Sequence, residues 1–269
     1  MNSLSGFFVF LLGLFVVIPV SAAKPIVIGG AGADLATFSL LAEAFKKHQS
    51  DSQIKVLPSI GSSGAVRGVS SSRVDIGLIA RPLKEQENQY ALTEIHYADT
   101  ALVYVVAKGH PLENIDTPTL KALYRGEHVA HALKIILRPK LDSDTLLLEE
   151  KLPDLIPALT SAYERKGVPI GMTDQFTIDL LLGTENAIAT SSQSLVISEQ
   201  RPLQVLSLNG VKPSIENLSD GSYPLRKKLF MVHDGTLTDL ERQFVDFVFT
   251  AEGKAILSRT GHIPAASQQ

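Results

Sequence analysis

Along this chain, short apolar runs of strand type alternate with stretches in which apolar residues recur every three or four positions. Pro25-Ile26-Val27-Ile28 predicts a strand, followed by the glycine-rich turn Gly29-Gly30-Ala31-Gly32-Ala33-Asp34. Leu35, Phe38, Leu41, Ala42 and Phe45 then keep helical spacing, and Lys46, Lys47 and His48 sit at the C-terminal end, where the dipole favours cations. Ile54 to Leu57 is a second strand. It hands over to Ser59-Ile60-Gly61-Ser62-Ser63-Gly64-Ala65-Val66, which turns into a short helix. Arg73 to Ala80 and Ala101 to Ala107 are β-prone. Thr117-Pro118 opens a helix whose inward face is Leu120, Leu123 and Tyr124, and Arg125-Gly126 ends it. Lys134 to Leu137 is a strand delivering Arg138-Pro139. Asp142-Ser143-Asp144-Thr145 then caps a helix through Leu146, Leu147 and Leu148. Asp174 to Leu182 reads as a helix stopped by Gly183. Ala187–Thr190, Val205–Leu208 and Leu229–His233 read as strands, and Leu237–Phe249 as an amphipathic helix. Strands and helices alternate throughout, which predicts α/β layers.

Composition narrows the class. The 269 residues suffice for one large domain or two lobes, and 45% hydrophobic with 20% charged residues is a globular balance. A net charge of −3 gives no nucleic-acid footprint and no polybasic membrane patch. With no cysteine, disulfides, thiolate metal sites and a Cys nucleophile are excluded.

The N-terminus bears on compartment. Gly6 to Val20 is almost unbroken apolar sequence, Pro19 interrupts it, and Ser21-Ala22-Ala23 supplies small residues. This predicts a secretory signal peptide over residues 1–23 and a periplasmic mature chain starting at Lys24. The run, roughly 15 residues, is short for a spanning helix, which needs about 20. Met1 to Ser5 holds no Lys or Arg, so an uncleaved anchor stays open as the alternative.

The candidate chemistry is oxyanion binding. In Gly61-Ser62-Ser63-Gly64 a strand meets a helix whose first-turn amides lie at the positive end of the dipole, a seat for an anion. Arg138 follows a strand of buried type and precedes a Ser/Thr-rich helix start, a place for a bidentate donor. Each has a plainer reading: a Ser cap, and a surface salt bridge. Arg81 lines a cleft or holds a hinge, and Asp75 braces structure. His128 and His131 are spaced to share a helix face, as a surface pair rather than a metal site. No Gly-x-Ser-x-Gly elbow or HExxH helix occurs, so no enzyme is expected.

Several segments together resemble the phosphate-binding proteins of bacterial ABC importers, of the type II periplasmic binding-protein fold. They are Gly61 to Val66, Val74-Asp75-Ile76-Gly77 with Arg81-Pro82-Leu83-Lys84, and Arg138 with Ser143-Asp144-Thr145. Thr173-Asp174-Gln175, Leu206 to Val211, Gly221 to Leu225, Phe244 to Phe247, Glu252 to Ile256 and Gly261 to Pro264 continue the likeness in order. The resemblance implies an α/β fold of two lobes with a ligand cleft between them. Lobe one would be residues 24–104 plus 230–269 and lobe two 105–229, with crossovers near Val105 and Lys228. It implies a monomer that binds a small oxyanion, most of all phosphate, and delivers it to an inner-membrane ABC permease. An anion sensor or interaction protein of the same fold, or a site for sulfate, molybdate, tungstate or phosphonate, is the alternative. It implies no cofactor, no metal and no nucleic acid. The ligand-binding residues it implies are Ala31, Gly32, Ser62, Ser63, Arg81, Arg138, Ser143, Asp144 and Thr145.

Three departures bear on phosphate more than on anion binding. The first loop carries Gly30-Ala31-Gly32-Ala33 where the family has hydroxyls, leaving only amides. Ala80 stands where some members place a proton-accepting aspartate, and Asp144 where the family has glycine. Asp144 either turns into the cleft and accepts the ligand proton or faces solvent and only complements the helix dipole.

Overall fold

The computed structural model describes residues 24–266; the expected signal peptide lies outside them. Strands are β1 (Ile26–Gly30), β2 (Ile54–Val56), β3 (Ile76–Ile79), β4 (Thr93–Ala107), β5 (Asn114–Ile115), β6 (Lys134–Ile135), β7 (Ala187–Ser192), β8 (Leu203–Val205), β9 (Ser207–Leu208), β10 (Arg226–His233) and β11 (Ile263–Pro264). Helices are α1 (Leu35–His48), α2 (Gly61–Ser70), α3 (Thr117–Arg125), α4 (Ser143–Lys151), α5 (Ile156–Glu164), α6 (Asp174–Leu182), α7 (Gln193–Glu199), α8 (Ile215–Ser219), α9 (Asp239–Val248) and α10 (Ala251–Arg259).

The strands β2-β1-β3-β10-β4-β7-β6 form one path, on which β4 also pairs β8 and β11. Parallel pairs (β1 with β2 and β3, β6 with β7) flank antiparallel ones made by β10 and β4. The parallel strands are joined by helices, as the alternating pattern requires.

Packing divides the molecule into two lobes. One core gathers Ile28, Phe38, Leu41, Ile76, Tyr97, Met231 and Phe244; Phe38 meets Tyr97 and Phe45 meets Phe244 edge to face. A second gathers Leu102, Tyr104, Leu120, Ile136, Leu159, Ile188 and Leu225, and a smaller third, Ala65, Val66, Val69, Ile79, Phe230 and Val232, sits between α2, β3 and β10. On β4 the change from one core to the other falls between Ala98 and Ala101, and on the returning chain between Leu225 and Leu229. There the strands run side by side, Lys227 opposite Thr100 and Lys228 opposite Asp99, with a register shift between Leu229 and Phe230. A bulge at such a place bends the ribbon.

Further contacts tie the lobes and the tail. Helix α7 packs against α1, and Ser194 Oγ donates to the Ala33 carbonyl (3.1 Å). His262, fully buried, bonds Asp34 Oδ1 through Nε2 (2.9 Å) and Thr260 Oγ1 through Nδ1 (3.1 Å). This pins the C-terminal segment to the first loop.

Several elements differ from expectation. The strand expected from Ala101 begins at Thr93, and that expected from Leu229 begins at Arg226. Helices α5 and α7 lie where no helix was expected, since Pro153, Pro157 and the polar ends of α7 hide their periodicity. His128 and His131 do not share a helix face: His131 lies in the left-handed region (φ 62°) and its ring meets that of His110 edge-on, with centroids 5.5 Å apart.

Candidate functional site

Two helix N-termini and a buried arginine meet where the lobes face each other. On lobe one, α2 begins at Gly61, whose φ of 68° turns the chain from Ser59-Ile60 into the helix. The cap residue is Ile60, which offers no side-chain acceptor. The expected serine caps are therefore absent, and an α-helix gives its first-turn amides no internal acceptor. Ser62 is buried, and its Oγ accepts from the Ala80 amide (3.0 Å), leaving its proton free to donate. Ser63 Oγ accepts from Arg81 (3.3 Å).

Arg81 is largely committed. Its guanidinium forms two bonds to the Glu87 carboxylate (both 2.7 Å) and one to the Pro82 carbonyl (2.8 Å). Burial raises the Glu87 carboxyl, but the bond from Arg81 and the Lys84 amide outweigh it and hold it low. Arg81 thus fixes the turn after β3 rather than offering a free fork. Asp75 braces structure as expected, accepting from the Val27 amide (2.8 Å) and from Lys24 (3.1 Å).

On the first loop, the Ala31 amide donates to the Leu78 carbonyl (2.8 Å), so it is used inside the sheet. The Gly32 amide reaches across to lobe two and donates to Asp174 Oδ2 (3.0 Å). Gln175 Nε2 returns a bond to the Gly32 carbonyl (3.0 Å). A Cβ at position 32 would lie 2.8 Å from the Asp174 side chain and 2.3 Å from Gln175 Oε1, so this approach needs glycine.

Lobe two carries the charge. Arg138 is 5% exposed. Its Nε (3.2 Å) and Nη2 (2.9 Å) grip the Asp142 carboxylate, and its Nη1 donates to the Gly171 carbonyl (3.0 Å) and Thr177 Oγ1 (2.7 Å). Nη2 also lies 3.7 Å from Asp174 Oδ2, and Nε lies 3.9 Å from Asp144 Oδ2. Burial works against the Arg138 charge, but Asp174, Asp142 and Asp144 together push its pKa up.

Asp142, not Ser143 or Thr145, caps α4 by accepting from the Asp144 amide (3.1 Å). Ser143 is buried at the first position of the helix. Thr145 Oγ1 donates to the Pro139 carbonyl (3.0 Å) and meets the Tyr163 hydroxyl (3.2 Å), which itself donates to the Arg138 carbonyl. Thr145 therefore supports the arginine loop.

Asp144 fits neither expectation. Its side chain points inward, 1% exposed, but is bound by Lys227 Nζ and by Thr190 Oγ1 (3.2 Å). Burial pushes its carboxyl up, yet Lys227 and Arg138 outweigh burial and hold it below the usual carboxylate range. A carboxylate so held is no proton acceptor near neutral pH. Lys227 also donates to Ser192 Oγ (2.9 Å). Burial would lower its pKa, but Asp144 and Asp174 raise it. Burial, helped by Asp144, pushes the Asp142 carboxyl up against Arg138.

The structure thus brings Gly32, Arg138, Ser143 and Asp144 to one junction, with Ser62 beside Ala80. It adds Lys227, Asp174, Thr190 and Ser192, which sequence reasoning missed. A cavity of about 270 Å³ opens alongside, walled by Ala80 and Arg81 from lobe one, Ser143, Leu146 and Leu147 from lobe two, and Lys227 from the crossover. Among the described residues no group of three or more His, Cys, Asp or Glu side chains is placed to hold a metal ion.

Comparison with known proteins agrees with this architecture. The model of the PBP superfamily domain matches residues 19–252. The phosphate-binding protein PstS of Bacillus subtilis is 24% identical over 257 residues, covering 92% of this chain and 83% of that protein. A structure from Clostridium perfringens, of a protein assigned as a phosphate ABC transporter substrate-binding protein with bound phosphate, superposes with a TM-score of 0.78. It is 23% identical and covers 90% of this chain and all of that one. An ABC-type phosphate transport receptor from Vibrio cholerae gives a TM-score of 0.61 at 18% identity, covering 88% and 99%. These likenesses match the two-lobed α/β fold.

Proposed function

The chain belongs to the PBP superfamily, and we propose that it is a periplasmic solute-binding protein that captures a small tetrahedral oxyanion, phosphate first, for an ABC importer. One observation carries the reading: an anionic oxygen, Asp174 Oδ2, already lies between the Gly32 amide and Arg138. The junction has a place for oxygen of that charge, with donors from both lobes. Ser62 at the start of α2 holds the Ala80 amide, and Ala80 lines the same cavity as Ser143 and Lys227, so the uncapped first turn of α2 offers further donors from lobe one. Such donors are what a buried oxyanion requires, because an unpaired charge away from water is costly. The strand pair at Ala98–Ala101 and Leu225–Leu229 serves as the hinge about which the lobes close over the ligand. Phosphate is favoured by the named relatives, whose descriptions state phosphate binding.

The reading is non-enzymatic. Ser62 accepts from a backbone amide rather than facing a base, and the buried His262 is spent on Asp34 and Thr260. A second reading, an oxyanion bearing a small organic group such as a phosphonate, is favoured by the adjoining cavity, whose wall includes Leu146 and Leu147.

A thermal-shift screen with phosphate, sulfate, molybdate, tungstate and phosphonates tests the reading. Ligand at 100 times its dissociation constant adds about 2.7 kcal/mol of stability. A shift with phosphate at micromolar levels is expected; no shift with any oxyanion contradicts it. Cleavage before Lys24 is checked by mass spectrometry of the exported protein, and delivery to a permease rather than a sensor by pull-down from membranes. No described helix is long and apolar enough to cross a membrane.

A further inference from the structure

We propose that Asp174 is a built-in counter-anion: its carboxylate holds the two lobes together and sets which anions can enter. The proposal rests on the oxyanion reading for its second half only. Asp174 is 6% exposed at the first position of α6, in lobe two. Its Oδ2 accepts from the Gly32 amide of lobe one (3.0 Å) and lies 3.7 Å from Arg138 Nη2. The neighbouring Gln175 closes the contact by donating to the Gly32 carbonyl, and Gln175 is itself anchored by Glu199 Oε1 (2.7 Å). Asp174 does not serve as the cap of its own helix; Thr173 does, accepting from the Phe176 amide. The carboxylate is thus directed across the lobe junction, and the lack of a Cβ at position 32 is what admits it.

The charge count predicts a selectivity. Arg138 and Lys227 face three carboxylates, Asp142, Asp144 and Asp174, and the first two are held by other bonds: Asp142 by Arg138 and the Asp144 amide, Asp144 by Lys227 and Thr190. Asp174 is the member of the three that spans the lobes. An incoming anion takes the Gly32 amide only by displacing it. Asp174 competes intramolecularly, at an effective concentration that short tethers set in the millimolar range or above. A monoanion brings no more charge than Asp174 and must bear its own loss of freedom, so it loses. A divalent tetrahedral oxyanion gains more from Arg138, Lys227 and the helix dipoles, and reaches Ser62 and the α2 amides as well. If the carboxylate holds the seat in at least nine molecules of ten, apparent affinity falls at least about tenfold.

The test uses the full mature chain, dialysed free of anions, as wild type, Asp174→Ala and Gly32→Ala. Small-angle scattering should show a compact wild type and a larger radius of gyration in both variants; formate should restore compaction in Asp174→Ala by standing in for the lost carboxylate. Calorimetry should show phosphate binding Asp174→Ala at least tenfold more tightly than wild type, and nitrate binding only the variant. Weaker phosphate binding by Asp174→Ala would overturn the proposal, since Asp174 would then be a partner of the ligand. So would unchanged compaction in both variants. If neither wild type nor Asp174→Ala binds any oxyanion, the oxyanion reading falls, and expansion of the variants in that same experiment still supports the lobe contact.

Discussion

The two faces of the junction solve one physical problem in opposite ways. Lobe one offers neutral donors: the Gly32 amide, the uncapped first turn of α2 and the Ser62 hydroxyl. Lobe two offers formal charge, with Arg138 and Lys227 buried among Asp142, Asp144 and Asp174. Neutral donors are inexpensive to bury and each is worth little. Buried charges attract strongly but must be compensated whether or not a ligand is bound. Lobe two should therefore dominate folding stability, and lobe one should register in binding with a smaller effect on the fold.

The strongest way to break that comparison is to unpair a lobe-two charge. Lys227→Met or Asp144→Asn leaves a buried partner uncompensated and should cost about 3–5 kcal/mol by urea unfolding. The double variant Lys227→Met/Asp144→Leu should recover most of it, because an apolar pair of similar volume replaces the ion pair. Equal losses in single and double variants would show that the pair is not the source. Next comes Arg138→Ala. It should weaken anion binding at least about tenfold, the worth of a charge-assisted bond of roughly 1.5–3 kcal/mol, and should also destabilise, since three carboxylates lose a cation.

Acid sharpens the contrast. Asp144 has a depressed pKa when folded, so its contribution is full above the ordinary carboxylate pKa near 4 and disappears as pH falls through the lower folded value. The stability gap between wild type and Asp144→Asn should then be constant from pH 8 to about 5 and shrink below about 4. Asp142 moves oppositely: its raised carboxyl costs stability above its folded pKa, and protonation relieves that cost as pH falls. The smallest effect belongs to lobe one. Ser62→Ala orphans the Ala80 amide and should cost about 1–3 kcal/mol, with a loss of affinity below that of Arg138→Ala.

The same contrast governs what could be read in the sequence. Lobe one was legible because its chemistry is local: Gly61-Ser62-Ser63 between a strand and a helix announces a turn and an exposed set of amides within a few residues. Arg138 was legible from its place after a strand and before a helix start. Its distant neighbour Asp174 was not, lying 36 residues away along the chain, nor was Lys227, which reaches Asp144 from the returning strand. Lys227 left a trace nonetheless. Leu225, Lys227 and Leu229 share one face of a period-two strand and all three are buried, while Arg226 and Lys228 are exposed. Reading that strand as beginning at Leu229 concealed the lysine. Capping shows the same limit: within the capping stretch Asp142 to Thr145 it is Asp142 that accepts from the Asp144 amide of α4, and Ile60 rather than a serine holds the cap position of α2. Neither outcome follows from residue preference alone.

The central claim is that this junction seats a tetrahedral oxyanion against Arg138. It is tested most directly by calorimetric titration of wild type and Arg138→Ala with inorganic phosphate at pH 7.5, with sulfate as competitor. One phosphate per wild-type chain and affinity at least tenfold weaker in Arg138→Ala are expected, with sulfate, likewise a divalent tetrahedral oxyanion, displacing phosphate. Wild-type affinity retained in Arg138→Ala would contradict it.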